Sequence, residues 1–358
     1  MKTFSCRAAY GSGGLGRHLE ELVEGARAQG SLAGYYTTSP KENDAVGVAV
    51  SEPLMSRLGR WTPVRFSPGW SSFLTFDLFD RAVARALQPV ETHVGFSLQS
   101  LRTFRSARAR GCRRLELVSP TCHVNVVRRR YEEAVRAHPI ERSWLDESQC
   151  RKALREYEAA DTIVIASDYV RDSFLEAGFP DHKLSRFELS PSSRFRPPAA
   201  SRPEDDVFRI VYVGGLSVVK GVPVLLDAFA RFAPRSAELT LVGGYGTRGM
   251  RRYLAQRCAR DPRIRIVSGD PLPHLHRADV YVHPSYQDGW SYATLEALAC
   301  GVPVIVTEDT GTKELIRDRQ NGVVVSTGSS AAILEAVLEM YHARDDARGM
   351  QRATGLFS

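Results

Sequence analysis

Four residues set far apart in this chain could do chemistry on a phosphorylated ligand. They are the carboxylates Asp288 and Glu296, the lysine Lys220 and the histidine His123. The two carboxylates lie in the run Pro284 to Val306. There Asp288-Gly289 reads as a turn, Trp290-Ser291 leads into a helix with Ser291 as its N-cap, and Gly301 with Pro303 stops it. From Tyr292 to Cys300 the only charged residue is Glu296. A helix otherwise made of Tyr, Ala, Thr, Leu and Cys is largely covered, and an unpaired carboxylate on it is costly, so a partner is expected for Glu296. Lys220 follows Gly214-Gly215-Leu216-Ser217-Val218-Val219 and stands just before an expected helix start. An ammonium beside free helix N–H groups suits a diphosphate, above all where negative charge grows on a leaving group.

These side chains need elements that bring them to one edge. The C-terminal half alternates strand and helix: strand Phe208 to Val213, helix Val222 to Phe232, strand Glu238 to Val242, a helix to Arg260, strand Arg263 to Val267, strand Asp279 to His283, the Glu296 helix, strand Val323 to Val325 and helix Ser330 to His342. Alternation of this kind predicts a doubly wound parallel sheet, whose ligands bind outside the carboxyl ends of the strands. Lys220, Asp288 and the first turn of the Glu296 helix all fall at that edge. Val242-Gly243-Gly244 closes the second strand there, with room for a ligand to lie close.

The N-terminal half repeats the pattern. A strand over residues 2 to 9 leads through Tyr10-Gly11-Ser12-Gly13-Gly14-Leu15-Gly16-Arg17-His18 into a helix from about Leu15 to Ala28. That glycine-rich turn also fits a dinucleotide fingerprint, but the next strand, Ser31 to Thr37, ends without the acidic residue that would hold a ribose hydroxyl. Helices are expected over Phe73 to Leu87, Leu98 to Arg110 and Asp168 to Ala177, the last capped by Ser167. Strands are expected over Val90 to Phe96, Arg113 to Val118, Thr162 to Ala166 and Lys183 to Leu189. His123 follows the Arg113 to Val118 strand in Ser119-Pro120-Thr121-Cys122-His123, again on the carboxyl side. Residues 39 to 72, rich in Pro, Ser, Gly and Trp, read as loops that could bind an acceptor. Residues 190 to 203 have linker composition. The expected organisation is an N-terminal α/β domain (1–190), a linker (191–206), a C-terminal α/β domain (207–345) and a tail (346–358).

The run from Asp288 through Glu296 to Ala-Leu-Ala-Cys-Gly-Val-Pro-Val-Ile-Val resembles the two-acid signature of the retaining nucleotide-sugar glycosyltransferases of family 4 (group 1), of GT-B fold. The resemblance covers residues 207 to 325 well, and the N-terminal half at the glycine loop, His123 and the block after Asp161. It implies two Rossmann-like domains facing a cleft. It places Glu296 on the ribose, Asp288 and His123 on the donor sugar, Lys220 on the diphosphate, and Gly13, Gly14, Gly215, Gly289, Trp290 and Ser291 around the donor. Gly16 and Arg17 fall toward the acceptor. Two departures stand out: the first acid of the family is usually Glu, and the arginine usual after the first glycine of Gly214-Gly215 is absent.

Composition sets limits. The formal charge of +7 favours an acidic partner, which composition alone leaves open among nucleic acid, an anionic membrane and a nucleotide diphosphate. No nucleic-acid motif supports the first. Arginines between Leu101 and Arg130 could form a basic surface for peripheral membrane contact, or simply decorate solvated helix faces. No apolar run spans a membrane and no signal-peptide core opens the chain, so a cytoplasmic location is expected. The six cysteines show no C-x-x-C spacing, and His274, His276 and His283 have no cysteine or carboxylate at ligand spacing, so neither a cofactor nor a metal is expected. The expected reaction moves a hexose-type sugar from a nucleotide-sugar donor to a hydroxyl acceptor, whether glycan, lipid-linked sugar or small molecule. A non-catalytic nucleotide-sugar-binding partner subunit and a dinucleotide-dependent oxidoreductase are the alternatives.

Overall fold

The computed structural model describes residues 1–50, 68–199, 205, 207–234 and 236–343. Residues 51–67 of the expected acceptor loops, 200–204 and 206 of the expected linker, and the whole expected tail lie outside them. The chain divides into two compact units. One takes Met1–Arg128, Ser143–Ala166 and Val170–Leu189; the other takes Arg129–Arg142, Ser167–Tyr169 and everything from Ser190.

The first unit is a parallel sheet of seven strands: β1 (Lys2–Ser5), β2 (Leu32–Thr37), β3 (Gly47–Ala49), β4 (Thr92–Phe96), β5 (Arg114–Val118), β6 (Thr162–Ile165) and β7 (Leu184–Arg186). They stand in the order β3-β2-β1-β4-β5-β6-β7. Its helices are α1 (Gly13–Ala28), α2 (Pro68–Ala86), α3 (Leu101–Ala109), α4 (Val124–Ala137), α5 (Glu147–Ala159) and α6 (Asp168–Glu176), with α4 and α6 shared with the second unit at their boundaries. Chain order reverses between β1 and β4, and there a doubly wound sheet opens its ligand crevice.

Two helices start at that reversal, and they differ. The N-terminal N–H groups of α3 are already taken: Asp80 accepts from Arg102 and Thr103 at 2.9 and 2.8 Å, and Glu156 accepts from Ser100 and Leu101 at 2.8 and 3.0 Å. Helix α1 begins two residues earlier than expected, at Gly13, and its N-cap Ser12 makes no side-chain bond to it. Its first N–H groups therefore stay available to an anion. Gly16 is required for the packing of this turn, since a Cβ there would sit 2.0 Å from the Ala9 carbonyl oxygen.

The second sheet has six parallel strands: β8 (Phe208–Val213), β9 (Ala237–Val242), β10 (Ile264–Val267), β11 (Val280–His283), β12 (Val304–Thr307) and β13 (Gly322–Val325). Their order is β10-β9-β8-β11-β12-β13, with the reversal between β8 and β11. Helices α7 (Val222–Arg231), α8 (Arg248–Arg260), α9 (Leu272–Leu275), α10 (Tyr292–Ala299) and α11 (Ser330–His342) complete it. Its core packs Leu225, Leu226 and Phe229 of α7 and Val337 and Met340 of α11 against Ile210, Leu239 and Val282. Ala134 of α4, a helix with no assignment from sequence, is part of the same core.

At least four of the nine arginines of 101–130 have carboxylate partners. Arg102 pairs with Asp77 at 2.8 Å, Arg108 with Asp161 at 2.7 Å, Arg114 with Glu116 at 2.8 Å and Arg130 with Asp309 at 2.7 Å. Most of these counter-charges come from outside the span, where sequence proximity could not find them.

Burial makes the first unit acid-sensitive. Desolvation lowers His18 to about 4 and His93 to about 3, so both are neutral in the folded protein. Below pH 6.5 the unfolded chain takes up protons that the folded one refuses. Stability from this source is present above pH 6.5 and is lost as pH falls toward 4 and 3. The His18 ring lies between Phe96 and Phe187, and its Nε2 is buried without a partner among the described residues. His18→Phe should therefore flatten the acid limb of thermal stability, removing a loss that reaches about 3 kcal/mol by pH 4. Thermal unfolding of both proteins between pH 7 and 4 measures it; parallel limbs would contradict it.

Candidate active site

The reversal in the second sheet places two loops side by side, because β8 and β11 are paired neighbours. The loop after β8 carries Lys220 and the loop after β11 carries Asp288. Lys220 Nζ reaches Asp288 Oδ2 at 2.6 Å, and His283 Nε2, from the last residue of β11, reaches the same oxygen at 3.0 Å. The Asp288 side chain is 13% exposed and that of Lys220 31%. Burial alone would push the Asp288 carboxyl up. The Lys220 ammonium and the His283 donor more than reverse this and hold it well below the usual carboxylate range.

Backbone geometry explains why the two loops meet. Val218 to Gly221 is a tight turn closed by the Gly221 N–H on the Val218 carbonyl at 2.9 Å, with Lys220 at its third position. Gly221 has φ 70°, and a Cβ on it would lie 1.8 Å from the Pro284 carbonyl oxygen, so only glycine lets the turn rest against the end of β11. The Val219 carbonyl in turn accepts from the Tyr286 N–H at 2.8 Å and the Ser285 hydroxyl at 3.3 Å. Gly221 is also the N-cap of α7, with no side-chain bond to the helix.

The acidic loop is fixed on its other side too. Asp288 N–H donates to the Asp309 carbonyl at 3.1 Å, and the Asp288 carbonyl accepts from Gly311 at 2.9 Å. The Ser167 hydroxyl donates to the Gly289 carbonyl at 2.9 Å. Ser291 caps α10 by accepting from the Thr294 N–H at 3.2 Å. Trp290 Nε1 is buried and finds no acceptor among the described residues.

Glu296 lies on α10, 3% exposed. Its carboxylate has interactions within the protein, among them with Tyr281, whose phenol is raised chiefly by burial and further by the Asp288 and Glu296 charges. Gly215 is exposed, and a Cβ there would meet nothing within 4 Å, so the position that lacks the usual arginine is open.

In the first unit, Gly13 and Gly14 are exposed at the start of α1 and Arg17 is half-buried on its first turns. His123 is not on an open surface. Its ring is 2% exposed and enclosed by Tyr157, Phe174 and Phe179, with centroids at 5.2, 5.3 and 5.8 Å. Burial lowers its pKa, and its Nε2 is buried with no partner among the described residues. It follows β5, one strand beyond the reversal, and to touch a sugar the ring would have to leave this aromatic enclosure.

His283 is the residue that sequence reasoning missed. It sits five positions before Asp288, and its role comes from the turn that folds Asp288 back onto the strand end. The strand alternation puts it on β11, but only the turn geometry reveals the contact.

Two doubly wound parallel sheets, one with a lysine–carboxylate pair at its reversal point, define a GT-B-like α/β fold. Residues 207–343 match the family described as "Glycosyl transferases group 1". The chain is 30% identical to the GDP-mannose-dependent alpha-(1-6)-phosphatidylinositol monomannoside mannosyltransferase of Mycobacterium tuberculosis over 60% of this chain and 62% of that protein. In structure it is similar to sucrose-phosphate synthase from Thermosynechococcus elongatus, with TM-score 0.74, 18% identity, and 99% of this chain and 93% of that one covered. It is also similar to Anabaena HepE in complex with UDP and glucose, with TM-score 0.70, 15% identity, and 99% and 94% covered. Across three curated relatives the chain spans 33%, 56% and 62% of their length. No helix among the described residues is long and apolar enough to cross a membrane.

The charge pair makes a stability prediction. Lys220→Ala strands a largely buried carboxylate with His283 alone and should cost about 1–3 kcal/mol, whereas in an Asp288→Asn background it should cost little. Chemical denaturation of the four proteins of this cycle tests the pairing; additive losses would contradict it.

Proposed function

We propose that this protein is a glycosyltransferase that moves a hexose-type sugar from a nucleotide-sugar donor to a hydroxyl acceptor, with retention at the anomeric carbon. The observation that carries the reading is the Lys220–Asp288 pair, set at the reversal point of a sheet whose residues match a glycosyltransferase family. A nucleotide lying along the strand ends of the second unit would bring its diphosphate to Lys220 and to the uncapped start of α7. As the bond to the sugar breaks, charge grows on the departing phosphate, and a cation already in place stabilises it most at the transition state. Asp288 holds that ammonium in position before the donor arrives and contacts the sugar. Glu296 takes the ribose hydroxyls, and Trp290 Nε1, a buried donor without an acceptor, is available to the donor. No metal is assigned, since Lys220 and helix N–H groups supply the neutralising charge. Gly13, Gly14, Gly16 and Arg17 at the start of α1 serve the phosphates and the acceptor, and no covalent nucleophile is assigned.

The relatives favour nucleotide-sugar chemistry without choosing the base: GDP-mannose for the mycobacterial enzyme, UDP for the Anabaena protein. Two departures, Asp288 for Glu and Gly215 for Arg, favour a second reading, a nucleotide-sugar binder without turnover. Nucleotide release from a panel of UDP-, GDP- and ADP-sugars separates the readings, because slow donor hydrolysis needs no knowledge of the acceptor. Release of one nucleotide above background supports the enzyme; binding without release supports the second reading.

With the active donor in hand, Lys220→Ala should lower kcat about 10²–10³-fold while weakening donor binding far less. Glu296→Ala should weaken donor binding by about 1.5–3 kcal/mol and leave the protein folded. Gly215→Arg enters open space and should tighten nucleoside diphosphate binding by about 1 kcal/mol if the missing cation limits the site. Turnover and calorimetric affinity for each variant decide these points, and near-normal turnover in Lys220→Ala would overturn the placement of the diphosphate.

A further inference from the structure

Glu141 stands outside every motif read from the sequence, yet both of its carboxylate oxygens are used in the second unit. Oε2 accepts the Val218 N–H at 2.6 Å and Oε1 accepts the Thr247 hydroxyl at 2.6 Å, and the residue is 7% exposed. Val218 opens the tight turn that holds Lys220 at its third position. Thr247 is the N-cap of α8, accepting from the Met250 N–H at 3.1 Å, at the end of the Gly243–Gly246 loop after β9. A single buried carboxylate thus ties together the loops that leave β8 and β9, two adjacent strands.

The segment that delivers Glu141 is built into this unit. Ala134 of α4 is fully buried in its core and Ile140 packs against that core. At Gly249, in the first turn of α8, a Cβ would lie 2.2 Å from the Ile140 carbonyl oxygen, so the backbone before Glu141 runs directly over this helix start. From the other side, Val219 is held by Tyr286 and Ser285, as described above. The peptide groups before Lys220 are therefore fixed by Glu141 at Val218 and by the β11 loop at Val219.

We propose that Glu141 is a positioning residue for the donor site: by holding the Val218 peptide it sets the turn that aims Lys220 at the diphosphate. This inference rests on the assignment of the diphosphate to Lys220. Hydrogen bonds to a buried carboxylate are charge-assisted and short, which makes this anchor stiffer than a neutral one. Losing it frees the turn without removing the cation, so the defect should show in what Lys220 does rather than in folding alone.

The test measures calorimetric affinity for UDP, GDP and ADP in wild type, Glu141→Ala, Glu141→Gln, Lys220→Ala and the Glu141→Ala/Lys220→Ala double variant, with thermal unfolding alongside. For the diphosphate that binds wild type best, Glu141→Ala should weaken binding about tenfold, and adding it to Lys220→Ala should cost less than about twofold more. Glu141→Gln keeps an acceptor for Val218 and should restore most of the affinity. If Glu141→Ala fails to fold, Thr247→Val, which removes only one of the two anchors, takes its place with a smaller loss that must also vanish in the Lys220→Ala background. Equal losses with and without Lys220, or no loss, would overturn the inference. If wild type binds none of the three diphosphates, the functional reading fails by itself. Glu141 is then judged by reductive ¹³C-methylation of the lysines, the Lys220 signal being assigned by its loss in Lys220→Arg: a signal displaced in Glu141→Gln and Thr247→Val supports the positioning role, and an unmoved one overturns it.

Discussion

The second unit depends on one electrostatic constraint, the need to keep a carboxylate ionised in a largely buried place. Asp288 can stay charged there only because Lys220 and His283 converge on one of its oxygens at 2.6 and 3.0 Å. That convergence dictates the backbone around it. The Lys220 turn must press against the end of β11, which requires glycine at 221, and the acidic loop must be held from behind by the Asp309 and Gly311 peptides. The pair also leaves a cation poised at the strand ends before any ligand is present, so little reorganisation is needed when an anion arrives.

The architecture of the second unit draws on more of the chain than the alternating C-terminal half. Residues 129–142 and 167–169 cluster with the second unit. They contribute Ala134 to its core, Arg130 and Tyr169 to Asp309 at 2.7 and 3.2 Å, Ser167 to the Gly289 carbonyl and Glu141 to the two strand-end loops. The Asp309 carbonyl accepts the Asp288 N–H, next to the backbone bridge between Asp288 and Thr310. Side chains from a distant part of the sequence thus brace both loops that carry the charge pair. The first unit offers a simpler device: of the two helices that start at its reversal point, α3 has its N-terminus filled by Asp80 and Glu156, and α1 is left without a side-chain cap.

Much of this was legible in the sequence. Strand β8 and helix α11 have the bounds expected of them, and the strand–loop–helix order around Asp288 is as read, because hydrophobic periodicity and glycine and proline stops are local signals. Lys220 stands out in the sequence by its place just before a helix. The Lys220–Asp288 contact follows from topology once both loops are put on adjacent strands. What was not legible is what depends on packing between remote segments. His283 looked like part of a weak histidine cluster, Glu141 carried no motif at all, and α4 went unassigned. His123 was expected at an open edge because its loop follows a strand end; its ring instead fills an aromatic enclosure, which residue types spread over 56 positions could not announce.

The account's central claim is that the second unit recognises a nucleotide through the charge of its diphosphate, and the most direct measurement compares each nucleoside with its diphosphate by calorimetry as salt is raised. The account predicts that for one base the diphosphate binds far more tightly than the nucleoside, that this margin shrinks as salt increases, and that it largely disappears in Lys220→Ala. Equal affinity for nucleoside and diphosphate in the wild-type protein, or a margin that survives the loss of Lys220, would contradict it.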